Sequence, residues 1–295
     1  MLKTAKIMKK TATLLLFFII STISYSNHYK KDREIFNNYI EKFKDMSLLS
    51  DEQLIIETAK FFIGTPYVAH TLEKSPESLV INLREMDCTT FVENVFALVK
   101  TIKDWSKNPE GDPLFENFAQ NLQLIRYRDG VLDDYSSRLH YTTEWISNNE
   151  TKGLVKDITK DAGGIEHIKQ LNIMSLNKDK YKQLSGDEPL TSKIIEIEKR
   201  ASKRVNYRIP AESIEQNRAS FKNGDMVGFV TSTKGIDLSH VGIIYFEGER
   251  LTFIHASSTE KSVVIEKLTL EDYCKKSKTN QGIMVVRALF CSYRP

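Results

Sequence analysis

Three residues supply the side chains for nucleophilic chemistry: Cys88, His240 and His255. A thiol attacks a carbonyl as its thiolate. It therefore needs a histidine to take and return the proton, and that histidine needs a polar neighbour to fix its tautomer. Cys88 stands in Met86-Asp87-Cys88-Thr89-Thr90-Phe91-Val92-Glu93-Asn94-Val95, where polar helix-start residues run into an apolar repeat. Phe91, Val92, Val95, Leu98, Val99 and Ile102 recur at helical spacing and predict one buried stripe. Thr90 and Glu93 have the spacing of a capping box. Unpaired N–H groups and the helix dipole favour negative charge at such an end, which predicts a lowered Cys88 pKa. The plain alternative for this segment alone is a small buried cysteine.

The two histidines lie on strands joined by a tight turn. Leu238 to Phe246 and Leu251 to Ala256 alternate as strands, and Glu247-Gly248-Glu249-Arg250 turns the chain between them. Paired residues of an antiparallel hairpin have numbers with a constant sum, here 497 for a turn centred between Gly248 and Glu249. His240 then faces Ser257 and His255 faces Gly242, one step apart on one face, so the imidazoles can touch. A slip of one residue would separate them. A lone strand histidine is more often a surface or core residue. Two on facing strands, flanked by Ser239, Gly242, Ala256 and Ser257, leave room for a substrate or another backbone. No Gly-x-Ser-x-Gly, His-Glu-x-x-His, Walker or dinucleotide motif competes.

Positioning these residues requires a sizeable domain. The first 26 residues read as a secretory signal: Lys3, Lys6, Lys9 and Lys10, an apolar run from Leu14 to Ile20, then Ser24-Tyr25-Ser26. The run is short for a membrane span. The whole chain has 42 basic and 39 acidic residues. Loss of the signal's four lysines leaves 38 against 39, so a formal charge of +3 becomes −1. No basic field argues for nucleic acid. The three cysteines are an odd number in an exported chain. Cys274 and Cys291 either pair or stay as buried thiols, which leaves Cys88 as the thiol to watch.

Residues 27–295 read as a single domain. Its N-terminal half is helical: an arm from Asn27 to about Asp45, a helix over Leu48 to Ile63 stopped by Gly64-Thr65-Pro66-Tyr67, a short strand over Leu79 to Leu83, then the cysteine helix. Asn121 to Tyr127 is a helix end or a strand. At helical spacing, Tyr135 to Ile146 turns Leu139, Thr142, Trp145 and Ile146 inward. That segment is either an ordinary amphipathic helix or the wall of a cleft with Arg138 offering a fork to a carboxylate. Residues from about 107 to 204 form a large, mainly helical insertion, with solvated charge over Thr151 to Arg204 and a helix over Lys193 to Arg204. Strands follow at Val205 to Ile209, Met226 to Thr231, the two histidine strands, Ser262 to Ile265 and Gly282 to Ala288, with a short helix over Leu270 to Lys275. The class is α+β.

Asp87-Cys88 at a helix start, His240-Val241-Gly242-Ile243 and Phe253-Ile254-His255-Ala256 together resemble the NlpC/p60 superfamily of cell-wall cysteine hydrolases. Gly64-Thr65-Pro66-Tyr67 is similar to that superfamily's Pro-Tyr element. Arg126-Tyr127-Arg128-Asp129-Gly130 and Ser137-Arg138-Leu139-His140-Tyr141 resemble one branch, the N-acetylmuramoyl-L-alanine amidase-like family (domain of unknown function 1460). The chain departs from a minimal member in the long segment between Cys88 and His240, and in His70, which stands where Gly is common. The resemblance implies a papain-like core, with the helix-borne cysteine packed on a small antiparallel sheet. It implies export to the periplasm or beyond, peptidoglycan or a muropeptide as substrate, no cofactor, no metal and no lasting membrane insertion. Cys88, His240 and His255 become the catalytic set. Tyr67, Asp87, Arg138, His140, Tyr141 and Ser239 become the substrate side, with Asp87 more a helix-start residue than an acid. The implied bond joins N-acetylmuramic acid to L-alanine. A stem-peptide endopeptidase cutting after D-glutamate, a zinc hydrolase and a non-catalytic wall-binding protein are the alternatives.

Overall fold

The computed structural model describes residues 28–107, 109–111 and 113–290. The expected signal, residues 1–26, and Cys291 lie outside them. Five helices come first: α1 (28–43), α2 (Asp51–Phe61), α3 (Cys88–Lys107), α4 (Phe115–Arg126) and α5 (Thr142–Thr151). Short strands β1 (Val155–Asp157) and β2 (Ile165–His167) precede α6 (Ile173–Leu176) and α7 (Glu188–Ser202). The remainder is β3 (Asn206–Pro210), β4 (Met226–Thr231), β5 (Leu238–Glu247), β6 (Arg250–Ser257), β7 (Ser262–Ile265), α8 (Leu270–Lys276) and β8 (Asn280–Ala288). The strands form one antiparallel sheet in the order β2-β3-β8-β4-β5-β6-β7, with β1 also paired to β8. This is the α+β class expected. No helix among the described residues is long and apolar enough to cross a membrane.

The stripe on α3 is buried as its spacing predicts. Burial extends further, to Thr90, Glu93, Asn94, Phe96 and Thr101, because α2, α4 and the sheet all pack on this helix. Met226, Ile243, Ile254 and Val286 meet it from one sheet face. The opposite face, with Phe229, Ile244 and Phe253, packs on Leu270 and Cys274 of α8 in a second core. The insertion has a third core built from Tyr135, Tyr141, Leu171, Met174, Ile194 and Ile197. The segment expected to be mostly solvated charge therefore carries its own packing and adds two strands to the sheet.

Two local expectations need correction. Residues 79–83 join no strand, and helix side chains take two of their carbonyls: Arg126 Nη1 donates to Val80 at 2.6 Å and Asn94 Nδ2 to Asn82 at 3.0 Å. Tyr135 to Ile146 is not one helix. A 3-10 turn (Tyr135–Ser137) gives way to extended backbone, and α5 starts at Thr142. There the buried Asp237 carboxylate accepts the Thr143 N–H at 2.7 Å and its hydroxyl at 2.9 Å, fixing the helix start to the residue before β5.

The sheet opens at one place. The β5–β6 ladder runs from Glu247↔Arg250 to Ile243↔Ile254 in the predicted register. Beyond Ile243 the strands part. β5 stays with β4 through Gly242, Val241 and His240, while β6 stays with β7 through His255, Ala256 and Ser257. The opening faces the start of α3.

Glu93 and Arg126 pair at 2.7 Å with both side chains buried. Arg126→Ala would leave the carboxylate buried and unpaired, and should lower stability by about 3–5 kcal/mol in urea unfolding. Replacing both partners (Glu93→Gln with Arg126→Met) should cost clearly less. Equal losses in the two proteins would contradict the pairing.

Candidate active site

Cys88 is the first residue of α3. Asp87 Oδ1 accepts the Thr90 N–H at 2.8 Å, and Thr90 Oγ1 accepts the Asp87 N–H at 2.9 Å. The reciprocal cap thus joins Asp87 and Thr90, not Thr90 and Glu93, whose carboxylate is spent on Arg126. The thiol lies against the Val241 N–H, which the parted strands leave to it. Its pKa moves opposite to expectation. Burial pushes it up to about 11 and the Asp87 charge adds to that, outweighing the hydrogen bonds from Val241 and Thr89.

The ladder parts before the expected pairs His240–Ser257 and His255–Gly242 form, yet the imidazoles meet: His240 Nε2 and His255 Nδ1 are 2.7 Å apart. Burial holds His240 down at about 4. Burial and the His240 ring hold His255 at about 3. Both are neutral at pH 7. No hydrogen bond joins Cys88 to His240 among the described residues, a looseness common before substrate binds. Gly242 permits the close packing. A Cβ there would come within 2.6 Å of the Phe253 ring and 3.2 Å of the His255 Cβ.

Two concavities lie at the candidate site, one on the side of the imidazoles and one lined by Asp87 and Thr89, the neighbours of Cys88. A groove of about 400 Å³ is lined by Ser239, His240, His255, Ser257, Glu266 and Tyr273. A pocket of about 150 Å³ is lined by His70, Glu73, Asp87, Thr89, Arg138 and His140. Tyr67 is pinned beside the lead-in to Cys88: its N–H donates to Lys261 and the next N–H to Met86. Burial raises its phenol pKa, with the Cys88 and Asp87 charges adding to the shift. His70 has a φ of 62°, the left-handed region that favours glycine.

Two expected substrate contacts are committed elsewhere. The Arg138 fork donates to Glu73 Oε1 at 2.8 Å and to the Leu72 carbonyl at 2.9 Å, with Glu77 at 3.8 Å, so it is no free fork for a carboxylate. Tyr141 is buried in the insertion core, its hydroxyl donating to Glu198 at 2.6 Å. His140 stays at the pocket wall, donating Nε2–H to the Tyr135 carbonyl at 2.7 Å, and burial holds it neutral at about 3. Ser239 Oγ bonds Asn280 Oδ1 at 3.0 Å on the groove rim.

Sequence reasoning missed Glu266 and Tyr273. Glu266 Oε2 lies 3.4 Å from His255 Nε2. The Tyr273 ring packs on Phe229 and Phe253 and faces both imidazoles. The hairpin arithmetic applied to β6 and β7 (Ser257↔Ser262) would have placed Glu266 across from Phe253, beside His255. No group of three or more His, Cys, Asp or Glu side chains among the described residues is arranged to hold a metal ion.

A helix-borne thiol at the backbone N–H of Val241, the residue after His240, with His240 and His255 paired on the sheet, makes this the candidate site of an α+β protein. The model of the AmiA-like family, N-acetylmuramoyl-L-alanine amidase-like, matches residues 57–283, and the chain belongs to that family. Among solved structures, an N-acetylmuramoyl-L-alanine amidase from Bacteroides uniformis is 36% identical, with a TM-score of 0.75 and coverage of 81% of this chain and 98% of that one. A Bacteroides fragilis protein provisionally named a xylanase is 37% identical, with a TM-score of 0.73 over 78% and 99% of the two chains. A Legionella pneumophila protein of the DUF1460 family shares the fold at 20% identity, with a TM-score of 0.66 over 89% and 97%. No curated protein matches the chain.

With the thiol pKa near 11, alkylation of Cys88 by iodoacetamide should accelerate about tenfold per pH unit across the neutral and mildly alkaline range. Peptide mass spectrometry reads the site, and an early plateau would show a thiolate already formed. Gly242→Ala should displace His255, shifting the imidazole resonances of both histidines and costing about 1–3 kcal/mol. Unchanged spectra would refute the packing constraint.

Proposed function

We propose that the protein is an exported cysteine amidohydrolase with a papain-like NlpC/p60 core, which cuts peptidoglycan fragments between N-acetylmuramic acid and L-alanine. The observation that carries this reading is the 2.7 Å pairing of His240 with His255 beside the helix-borne Cys88, in a chain of the N-acetylmuramoyl-L-alanine amidase-like family. The hydroxyl-rich groove, with Ser239, Ser257, Ser258, Thr259 and Asn280 on its walls, suits a glycan. The signal-like residues 1–26 support export.

The resting site is a neutral thiol and a neutral imidazole. His255 engages Nε2 of His240 and leaves Nδ1 to act as the base. As the sulfur attacks the lactyl carbonyl, Nδ1 takes the thiol proton. The oxyanion forms at the start of α3, where backbone N–H groups including that of Cys88 point outward. His240 then protonates the departing amine of L-alanine, and the C–N bond breaks to leave a thioester on Cys88. Water, deprotonated by His240, cleaves the thioester. It releases the muramyl carboxylate and restores the thiol. Because both protonation states are neutral at rest, proton transfer and attack belong to one step.

Defined muropeptides incubated with the wild type and with Cys88→Ala, and followed by mass spectrometry, test the reading. The expected products are the free muramic sugar and a peptide beginning with L-alanine, with the rate falling at least about 10³-fold in the variant. A thiol-dependent cut inside the stem peptide would make the protein an endopeptidase with the same mechanism. Equal product from both proteins, or none from either, would overturn the proposal.

A further inference from the structure

The His240–His255 contact has two possible directions, and only one leaves His240 a free lone pair on Nδ1. If His240 Nε2 carries the hydrogen, Nδ1 holds a lone pair. If His255 Nδ1 carries it, His240 must be protonated on Nδ1 and is no base. The contact alone does not choose between them. Glu266 does.

The Glu266 carboxylate is oriented by the backbone. Its Oε1 accepts the N–H of Lys267 at 2.8 Å and of Leu268 at 3.0 Å. Its own N–H donates to the Phe253 carbonyl at 2.9 Å, anchoring the residue across from β6. Its Oε2 is thereby turned to His255 Nε2, 3.4 Å away. That nitrogen is buried and makes no hydrogen bond among the described residues, so the facing carboxylate at 3.4 Å is the group that acts on it, through its charge. His255 itself is 1% exposed, so bulk water does not substitute. An ionised carboxylate only accepts. It therefore selects the His255 tautomer with hydrogen on Nε2, which makes Nδ1 the acceptor and His240 Nε2 the donor.

We infer that Glu266 is a positioning residue that sets the direction of the hydrogen bond between the two imidazoles and so leaves the lone pair of His240 on Nδ1, the atom that the hydrolase reading uses as the base. The inference deepens the hydrolase reading and rests on it for its catalytic consequence. The direction itself holds whatever the substrate.

The isosteric substitution gives a test that a merely structural role would not pass. In Glu266→Gln the Lys267 and Leu268 N–H groups keep the amide oxygen, so the amide NH₂ faces His255. An NH₂ only donates. The chain then inverts: His255 accepts on Nε2 and donates from Nδ1, and His240 accepts on Nε2 and carries its hydrogen on Nδ1. The conservative change should thus be worse than truncation. Muropeptide hydrolysis should fall on the order of 100-fold in Glu266→Gln, the scale of a lost general base, against roughly tenfold in Glu266→Ala, where no partner dictates a direction.

Long-range ¹H–¹⁵N spectra of the labelled protein at neutral pH read the tautomers directly. Both histidines should be Nε2–H in the wild type and Nδ1–H in Glu266→Gln. An Nδ1–H His255 in the wild type, or unchanged tautomers in the Gln variant, would overturn the inference. The wild-type spectrum decides alone if the variant does not fold. Absence of hydrolysis by the wild type would remove the functional reading, and the tautomer result would still stand or fall by itself.

Discussion

Backbone groups that leave a β-ladder inside a protein must find other partners. Between β5 and β6 the ladder is given up after Ile243↔Ile254, and the candidate site is what fills the gap. The Val241 N–H turns to the Cys88 sulfur, and β6 transfers its pairing to β7. Gly242 lets the strands part without pushing the histidines away from each other. The start of α3 can occupy this position because the rest of that helix is surrounded, with Glu93 and Arg126 neutralising each other on its buried flank. Sheet, helix and site are solutions to one packing problem.

The insertion closes the site from the other side. Its third core holds α6 and α7 together, and buried Asp237 ties α5 to the beginning of the strand that bears His240. Arg138 clamps the segment around residues 72–77 through Glu73 and Glu77. That clamp fixes the wall of the small pocket that Asp87 and His140 share. Arg138 thus shapes the pocket as a strut, which fits its burial better than a role as a ligand-seeking cation.

What could be read from the chain was what local periodicity encodes. The α3 stripe and the register of the histidine hairpin each follow from a repeat and a turn, with Gly248 at a positive φ of 59° marking the turn. The insertion core was illegible because, apart from α7, its apolar residues come from pieces too short to show a period, and the face α7 buries is set by those pieces. Arg138 looked free because Glu73 and Glu77 lie more than sixty residues upstream. The thiol pKa was misread for a related reason. A helix start is visible in sequence, whereas the burial that dominates the shift comes from strands more than 150 residues later.

The protonated resting state of Cys88 has a bearing on the lifetime of the molecule. Oxidants act on thiolates, and sulfenic acid formation follows the thiolate fraction. With a pKa of about 11, that fraction at neutral pH is on the order of one in ten thousand. Cys274, buried against the second core, is pushed to about 11 as well. A thiol that is so little ionised at rest is largely hidden from peroxide. The burial that makes the thiol sluggish by itself also makes it durable.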